Sequence, residues 1–379
     1  MKVLAIIDAI ELSGPGKGLL QLVDACATRQ VEIVVANFTY EKRRSFFNEE
    51  AATRGIRCVL LRTRGRFEKR TLRQLQALVV NEGIDIIQSH SFKPHLYAIL
   101  LRRRLRRPWL AFAHGWTLET WRVCLNNAIE RRLLRYADHV IALSESLEKD
   151  LRAHGRSGPV SIVMNAITRL PEPTTTQLRD AARCQLTVAA GAFVIACIGR
   201  LSFEKAQDLL LTALQRVRPA TQRPIVVLLA GDGPFRERLQ TQAAALRGHV
   251  DVRFLGHVAD VAPLYVACDM VAMPSRSEGT PNVILEAMSY GLPIVATRVG
   301  SVPSMVTDAT EALLVDTQDV VALASKLQRV YDDSSVATKM GRNARAALWP
   351  RFSIETRVGR IVDVYGQLLA ASAEPCASH

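Results

Sequence analysis

Short, unbroken apolar and β-branched runs recur at Val3 to Asp8, Val31 to Phe38, Arg57 to Leu61, Asp85 to Ser89, Trp109 to Ala113, His139 to Ala142 and Ser161 to Met164. Between them, at Gly18 to Ala27, Lys69 to Asn81, Leu96 to Arg106, Val123 to Tyr136 and Glu145 to Arg152, the apolar positions take helical spacing. Strands without polar alternation are buried on both faces, and helix-length connections between them predict a parallel sheet covered on each side. Residues 171–183 (PEPTTTQLRDAAR) break this rhythm and predict an interdomain connection or an exposed excursion. The scheme then restarts with strands at Phe193 to Ile198, Pro224 to Ala230, Val252 to Leu255, Met270 to Met273, Pro293 to Ala296 and Ala312 to Val315. Its helices are predicted at Glu204 to Arg216, Pro234 to Leu246, Pro263 to Cys268, Pro281 to Tyr290 and Val320 to Tyr331. Two last helices, about Ser335 to Ala347 and Ile354 to Ala371, precede a polar tail expected to fray.

The length agrees with this doubling: 379 residues at roughly 150 per domain make about two domains. No stretch approaches the roughly 20 uninterrupted apolar residues of a membrane span. Asp8 and Glu11 interrupt the opening run and no small-residue cleavage site follows, so it reads as a strand and the expected location is cytoplasmic. Cys26, Cys58, Cys124, Cys184, Cys197, Cys268 and Cys376 lie far apart with no CxxC pair, and are expected to be small buried hydrophobes in a reducing compartment.

Charge changes the picture more. The net +13 is uneven: residues 1–190 hold 30 Lys and Arg against 18 Asp and Glu, a balance of +12, and residues 191–379 hold 19 against 18. The densest parts are Arg62 to Arg73, with six basic residues, and Arg102 to Arg107. Such runs suit either a solvated Arg-rich helix surface or contact with an anionic membrane or lipid phosphate. No nucleic-acid partner is expected, because no recognisable nucleic-acid module accompanies the charge.

Candidate chemistry concentrates where predicted strands end. Gly199 and Arg200, with Glu204 and Lys205 after them, follow one strand; the glycine permits a tight turn, and the two cations at a helix start suit a diphosphate. Gly231-Asp232-Gly233-Pro234 closes the next strand as a sharp turn, which is equally an ordinary strand-to-helix connection. The segment from Pro274 to Met288 places Glu278 in a loop and Glu286 about 1.5 turns into a helix opened by Pro281. The pair either brackets a bond or grips different parts of a ligand. Gly300 to Ser304 offers backbone amides. In the first half, Gly14, Gly16, Lys17 and Gly18 resemble a phosphate-cradling turn without completing a GxGxxG or GxxxxGK pattern. His114 ends a buried strand and is a candidate contact or proton-transfer group with a pKa near neutrality.

Taken in order, Gly14 to Gly18, Ala113-His114-Gly115, Val140 to Ser144, Val163-Met164-Asn165, Gly199-Arg200, Glu204-Lys205, Gly231-Asp232-Gly233, Phe254-Leu255-Gly256 and Glu278 to Met288 resemble the retaining glycosyltransferases of family 4. The resemblance spans about residues 1–345 and is most specific in the last set. It implies an α/β, GT-B fold: two facing Rossmann-like domains with a deep interdomain cleft. The expected parts are an acceptor-side domain over 1–187, a donor domain over 191–347, and a C-terminal helix with its tail over 348–379, packing back toward the first domain.

The resemblance further implies a hexosyl-type sugar moved from a UDP-sugar or GDP-sugar to a saccharide or lipid-linked acceptor, with neither metal nor cofactor, in cell-envelope or exopolysaccharide synthesis. Arg200 and Lys205 would neutralise the diphosphate, Glu278 would lie by the transferred sugar, and Glu286 would hold the ribose. The backbone of Gly279, Thr280, Pro281, Asn282 and Val283 would help hold sugar and phosphate, Gly231 would line the donor site, Gly14, Gly16 and Lys17 would approach the phosphate, and His114 would contact the sugar near the reacting centre. The expected location extends to the inner face of the membrane as a peripheral protein. Departures from the family pattern are Ala206 and Ser301 where Gly is common, and Ser304 where Glu is common. The alternatives are a sugar-nucleotide epimerase or phosphatase on a similar shell, and a non-enzymatic protein that binds anionic surfaces. A dinucleotide-dependent oxidoreductase lacks its glycine fingerprint and ribose acid here.

Overall fold

A computed structural model of the chain describes residues 1–373 apart from 41–43, 64, 66, 117–120 and 219–222. Arg64 and Arg66 of the first basic run, Cys376 and the tail expected to fray lie outside the described residues. The chain forms two compact units, Met1–Thr168 with Ile354–His379, and Arg169–Ser353.

The first unit runs β1 (Lys2–Ile7), α1 (Gly14–Cys26), β2 (Glu32–Thr39), α2 (Phe46–Thr53), β3 (Cys58–Arg62), α3 (Lys69–Asn81), β4 (Ile86–His90), α4 (Phe92–Leu105), β5 (Trp109–Ala113), α5 (Trp121–Leu134), β6 (His139–Ala142), α6 (Glu145–Ala153) and β7 (Val160–Ile162). Its strands form one parallel sheet in the order β3-β2-β1-β4-β5-β6-β7. Burial explains why the apolar runs became strands: β1, β4 and β5 are covered on both faces. Val3, Ala5 and Ile86 face one helical layer, and Leu4, Ile6 and Ile87 face the other.

The second unit runs α7 (Thr176–Gln185), β8 (Phe193–Ile198), α8 (Gln207–Leu214), β9 (Ile225–Ala230), α9 (Arg236–Ala244), β10 (Val250–Gly256), α10 (Ala262–Ala267), β11 (Met270–Met273), α11 (Asn282–Ser289), β12 (Ile294–Thr297), α12 (Val302–Met305), β13 (Leu313–Val315), α13 (Val320–Asp332) and α14 (Ser334–Phe352). Its parallel sheet is ordered β10-β9-β8-β11-β12-β13. The chain then returns to the first unit as α15 (Ile354–Ala373), which packs on α1 and buries Val358, Ile361 and Tyr365 against the sheet.

The units divide after Thr168 rather than near 187; just past that division residues 172–175 are exposed and outside any helix or strand, as expected, whereas 176–183 fold onto the second unit as α7 with Ala182 and Arg183 buried. Thr175 caps α7 by accepting from the Leu178 amide, and α7 packs on α10. Its polar sequence is explained by Asp269, whose carboxylate accepts from the Val194 amide at 2.7 Å, from Arg183 at 2.8 Å, from Arg223 at 3.2 Å and from Arg179. Arg183 is itself buried, with further bonds to the carbonyls of Ala267 and Ala192. Removing one partner from such a buried charge network leaves the other uncompensated, which typically costs about 3–5 kcal/mol. Asp269→Ala is therefore expected to lower the stability of the second unit by about 3 kcal/mol, read as a lowered urea midpoint; an unchanged midpoint would contradict the assignment.

The cysteine expectation holds in part. Cys26, Cys197 and Cys268 are buried and Cys58 is half-buried, but Cys124 and Cys184 are exposed. Burial pushes the thiols of Cys26 and Cys58 up to about 11 and those of Cys197 and Cys268 to about 12, so these four stay protonated near neutral pH. No helix among the described residues is long and apolar enough to cross a membrane.

Candidate functional site

A doubly wound sheet gathers ligands beyond the carboxyl ends of its strands, where the strand order reverses. In the second unit that point lies between β8 and β11. The loops leaving these two strands, 199–206 and 274–281, carry Arg200, Lys205 and Glu278. Helix α8 starts at Gln207, later than the predicted Glu204, so Glu204 and Lys205 sit in the preceding turn, where side chains can fold over the sheet end.

Lys205 and Glu278 meet across the two loops. The ammonium lies 2.7 and 2.9 Å from the two oxygens of Glu278, and the Ser275 hydroxyl donates to Oε1 at 2.7 Å. The carboxylate is 8% exposed and the lysine 30%, so the lysine keeps donor capacity toward solvent or a ligand. Arg200 is exposed on the same loop. Arg276 ties the loops together: its amide donates to the Glu204 carbonyl at 2.7 Å, and its guanidinium forms a two-pronged pair with Asp208 while lying 4.4 Å over the Phe203 ring. Sequence reasoning missed Arg276 and Asp208 because they are distant in sequence and match no motif.

Gly231 is explained by close backbone approach. A Cβ there would lie 2.0 Å from the Gly199 carbonyl oxygen, and its φ of 141° is one that other residues rarely adopt. The Gly-Asp-Gly turn thus has a packing cause. On the far side, Gly300 brings its backbone against Glu278, and the Ser301 amide and hydroxyl both donate to the Gly279 carbonyl, at 3.0 and 2.8 Å. Ser301 has an ordinary φ of −87°, so its hydroxymethyl group is accommodated and adds a bond to the loop. Ala206 instead holds a left-handed φ of 55°, the conformation for which glycine is favoured.

Pro281 is the N-cap of α11 rather than its first residue, and Asn282 and Val283 open the helix half-buried. Glu286, one turn further, accepts from the buried Tyr265 hydroxyl at 2.6 Å through Oε2. Tyr265 stacks on Tyr290 at 5.3 Å between centroids. Burial, then the Glu286 charge, pushes the Tyr265 phenol well above its usual pKa, which keeps it a donor. Sequence reasoning missed this support as well.

In the first unit α1 begins at Gly14, earlier than the predicted Gly18. Gly14, Pro15 and Gly16 therefore form its opening turn rather than a loop, and Lys17 is exposed beside them. A Cβ on Gly16 would touch the buried Phe47 ring at 3.0 Å. His114 follows β5 and is half-buried. Its Nε2 lies 3.0 Å from His90 Nδ1, and the two rings stack on Phe112.

Burial, the buried Arg357 guanidinium and His95 lower the His114 pKa to about 3, which corrects the expectation of a value near neutrality. His90 is lowered too, chiefly by burial. Both rings are neutral in the folded protein yet titrate near 6.5 when unfolded, so the unfolded chain binds more protons below that pH and stability falls as pH drops toward about 3. Each ring contributes up to about 1.4 kcal/mol per pH unit in that window. His114→Asn is expected to shrink the fall in urea midpoint between pH 7 and pH 5. An undiminished fall would mean that His114 titrates normally.

Among the described residues no group of three or more His, Cys, Asp or Glu could hold a metal ion.

Residues 12–168 match the family described as Glycosyltransferase Family 4, and residues 192–333 match that described as Glycosyl transferases group 1. The chain is 38% identical over 204 residues to a D-inositol 3-phosphate glycosyltransferase of Saccharomonospora viridis, a match covering 51% of this chain and 47% of that protein. It is 30% identical over 311 residues to the protein of the same description from Corynebacterium urealyticum, covering 75% and 72%. The match thus spans about half the length of the first of these relatives. Among solved structures, Anabaena Alr3699/HepE in complex with UDP and glucose is similar with a TM-score of 0.83 at 25% identity, covering 97% of this chain and 100% of that one.

Proposed function

This chain belongs to the group 1, family 4 glycosyltransferases, and we propose that it moves a hexosyl-type sugar, with retention of anomeric configuration, from a nucleotide-diphosphate donor to a saccharide or lipid-linked acceptor. The observation that carries this reading is the Lys205–Glu278 pair at the strand-order reversal of the second unit, 2.7 Å long and flanked by Arg200.

Breaking the anomeric C–O bond builds negative charge on the departing diphosphate. Arg200 and Lys205 stabilise that charge, and fixed cations of this kind give the largest single contribution in many active sites. Glu278, held by Lys205 and Ser275, orients the sugar rather than attacking it, and Glu286, held by Tyr265, accepts from the ribose hydroxyls through its remaining oxygen. The backbone from Gly279 to Val283 holds sugar and phosphate. In the first unit, the opening turn of α1 supplies amides for phosphate and His114 contacts the sugar as a neutral ring. UDP-sugars are the first donors to test, because the similar Anabaena protein was solved with UDP and glucose. The test is a screen of UDP-sugars and GDP-sugars that reads nucleotide release with and without a lipid-linked acceptor pool. Acceptor-dependent release is the expected result; conversion of the donor alone would favour an epimerase or phosphatase.

The acceptor reading rests on charge. Arg102 pairs with Asp138 at 2.6 Å, whereas Arg103, Arg104, Arg106 and Arg107 are exposed at the end of α4. We propose that they meet an anionic membrane at the cytoplasmic face. Replacing these four by Gln should abolish flotation with anionic vesicles at low salt; equal flotation of both proteins would remove the membrane role.

A further inference from the structure

We propose that Tyr365 on α15 sets the tautomer of His114, acting through Gln88 and His90, so that His114 presents Nδ1–H as a hydrogen-bond donor. The inference deepens the role proposed for His114 and rests on that reading for its catalytic meaning, but not for its structural content.

The four residues form one hydrogen-bonded line inside the first unit. Gln88 and His90 alternate along β4 toward the layer that holds Ile86 and Tyr365. Tyr365 bonds Gln88 Oε1, the Gln88 amide nitrogen lies 2.8 Å from His90 Nε2, and His90 Nδ1 lies 3.0 Å from His114 Nε2. Tyr365 and Gln88 are fully buried and His90 is 2% exposed.

The direction of the line follows from its buried end. Among the described residues the Tyr365 hydroxyl has Gln88 as its hydrogen-bond partner, and a buried O–H left without an acceptor is costly. Tyr365 must therefore donate, which makes the bonded Gln88 atom the carbonyl oxygen and turns the amide N–H₂ toward His90. His90 Nε2 then accepts, so the proton of the neutral ring sits on Nδ1 and is donated to His114. His114 Nε2 accepts in turn, and its own proton is held on Nδ1. Burial keeps both rings neutral, so each has one donor and one acceptor nitrogen. If Gln88 were turned round, every step would reverse and the phenol proton would lose its acceptor. Tyr365, Gln88 and His90 are thus positioning residues, acting on a group that touches the sugar.

A second line provides an internal control. Trp109 Nε1 donates to the Ser89 hydroxyl at 2.7 Å, and among the described residues the acceptor for that hydroxyl's own proton is His95 Nδ1 at 2.8 Å, which places the proton of a neutral His95 ring on Nε2, 3.3 Å from Glu130. This line does not pass through Tyr365.

The test is long-range proton–nitrogen correlation on the full chain labelled with ¹⁵N-histidine, comparing wild type with Tyr365→Phe and Gln88→Leu. In the wild type His114 is expected as the Nδ1–H tautomer and His95 as Nε2–H. In both variants the His114 preference should fall from more than about tenfold to within about threefold, while His95 signals stay in place and report an intact fold. Nε2–H on His114 in the wild type, or an unchanged tautomer in both variants with His95 intact, overturns the proposal. If Tyr365→Phe unfolds the unit, Gln88→Leu carries the decision. Turnover separates the two readings: a several-fold loss of kcat with little change in KM, alongside the tautomer shift, supports both. A shifted tautomer with unaltered kcat leaves the relay standing and removes His114 from the chemistry.

Discussion

Replacing Lys205 by Ala is expected to lower kcat by about two to three orders of magnitude, the range seen when one fixed stabiliser of developing charge is removed. The side chain has two tasks in the structure. It holds Glu278 at 2.7 and 2.9 Å, and it brings a positive charge to the end of β8, where we place the leaving diphosphate. Ground-state donor binding uses only part of that charge, because Arg200 shares the loop, so KM should change less than kcat. Losing Lys205 also leaves Glu278, only 8% exposed, with Ser275 as its remaining hydrogen-bond donor in the loop. A modest fall in thermal midpoint should accompany the kinetic loss. Lys205→Arg should recover part of the activity, since charge is restored but the pairing geometry is not. Steady-state kinetics with an identified donor decide the matter, and an unchanged kcat/KM would exclude Lys205 from the reaction.

Gly300→Ala is expected to abolish most activity while leaving the first unit untouched. A Cβ at this position would lie 2.1 Å from the Glu278 carbonyl oxygen and 2.6 Å from that of Gly279. Both atoms are backbone, so no side chain can swing aside, and the φ of 55° adds strain for any residue with a Cβ. The loop carrying Glu278 has to retreat, and misplacement of a catalytic group by about 1 Å can cost about a hundredfold in rate. Stability should fall by about 2–3 kcal/mol, the sum expected of backbone strain and overpacking. Activity measured below the variant's lowered melting temperature separates misplacement from unfolding. Wild-type turnover there would show that the Glu278 loop position is unimportant. Ser301→Ala is a milder probe of the same loop, because it removes one of two bonds on the Gly279 carbonyl and leaves the other, from the amide, in place.

The strand pattern was legible because it depends on nearest neighbours: a run such as Ile225 to Ala230 is apolar at every position, short and rich in β-branched residues, which fits a strand buried on both faces. Helix limits were less legible. Gly14-Pro15-Gly16 looks like a turn from composition, yet it opens α1, since Pro suits a first helical turn and Gly16 packs against Phe47, with Gly18 after it against Arg357. Residues 171–183 look like a linker for the same reason. Residues 172–175 are indeed exposed and outside any element, whereas 176–183 fold because Asp269, far along the chain, gathers Arg179 and Arg183 together with Arg223.

The sequence by itself determined two parallel α/β halves, the strand ends beyond which Arg200, Lys205 and Glu278 lie, and the helix that carries Glu286, because these follow from local periodicity and from residues at strand ends. Only the tertiary structure decided how those residues are held. Lys205 finds Glu278, Tyr265 finds Glu286, and Tyr365 reaches Gln88 across 277 positions of chain. It also decided that His114 is a neutral ring with a lowered pKa, since desolvation and the Arg357 charge act through space and leave no local mark in the sequence.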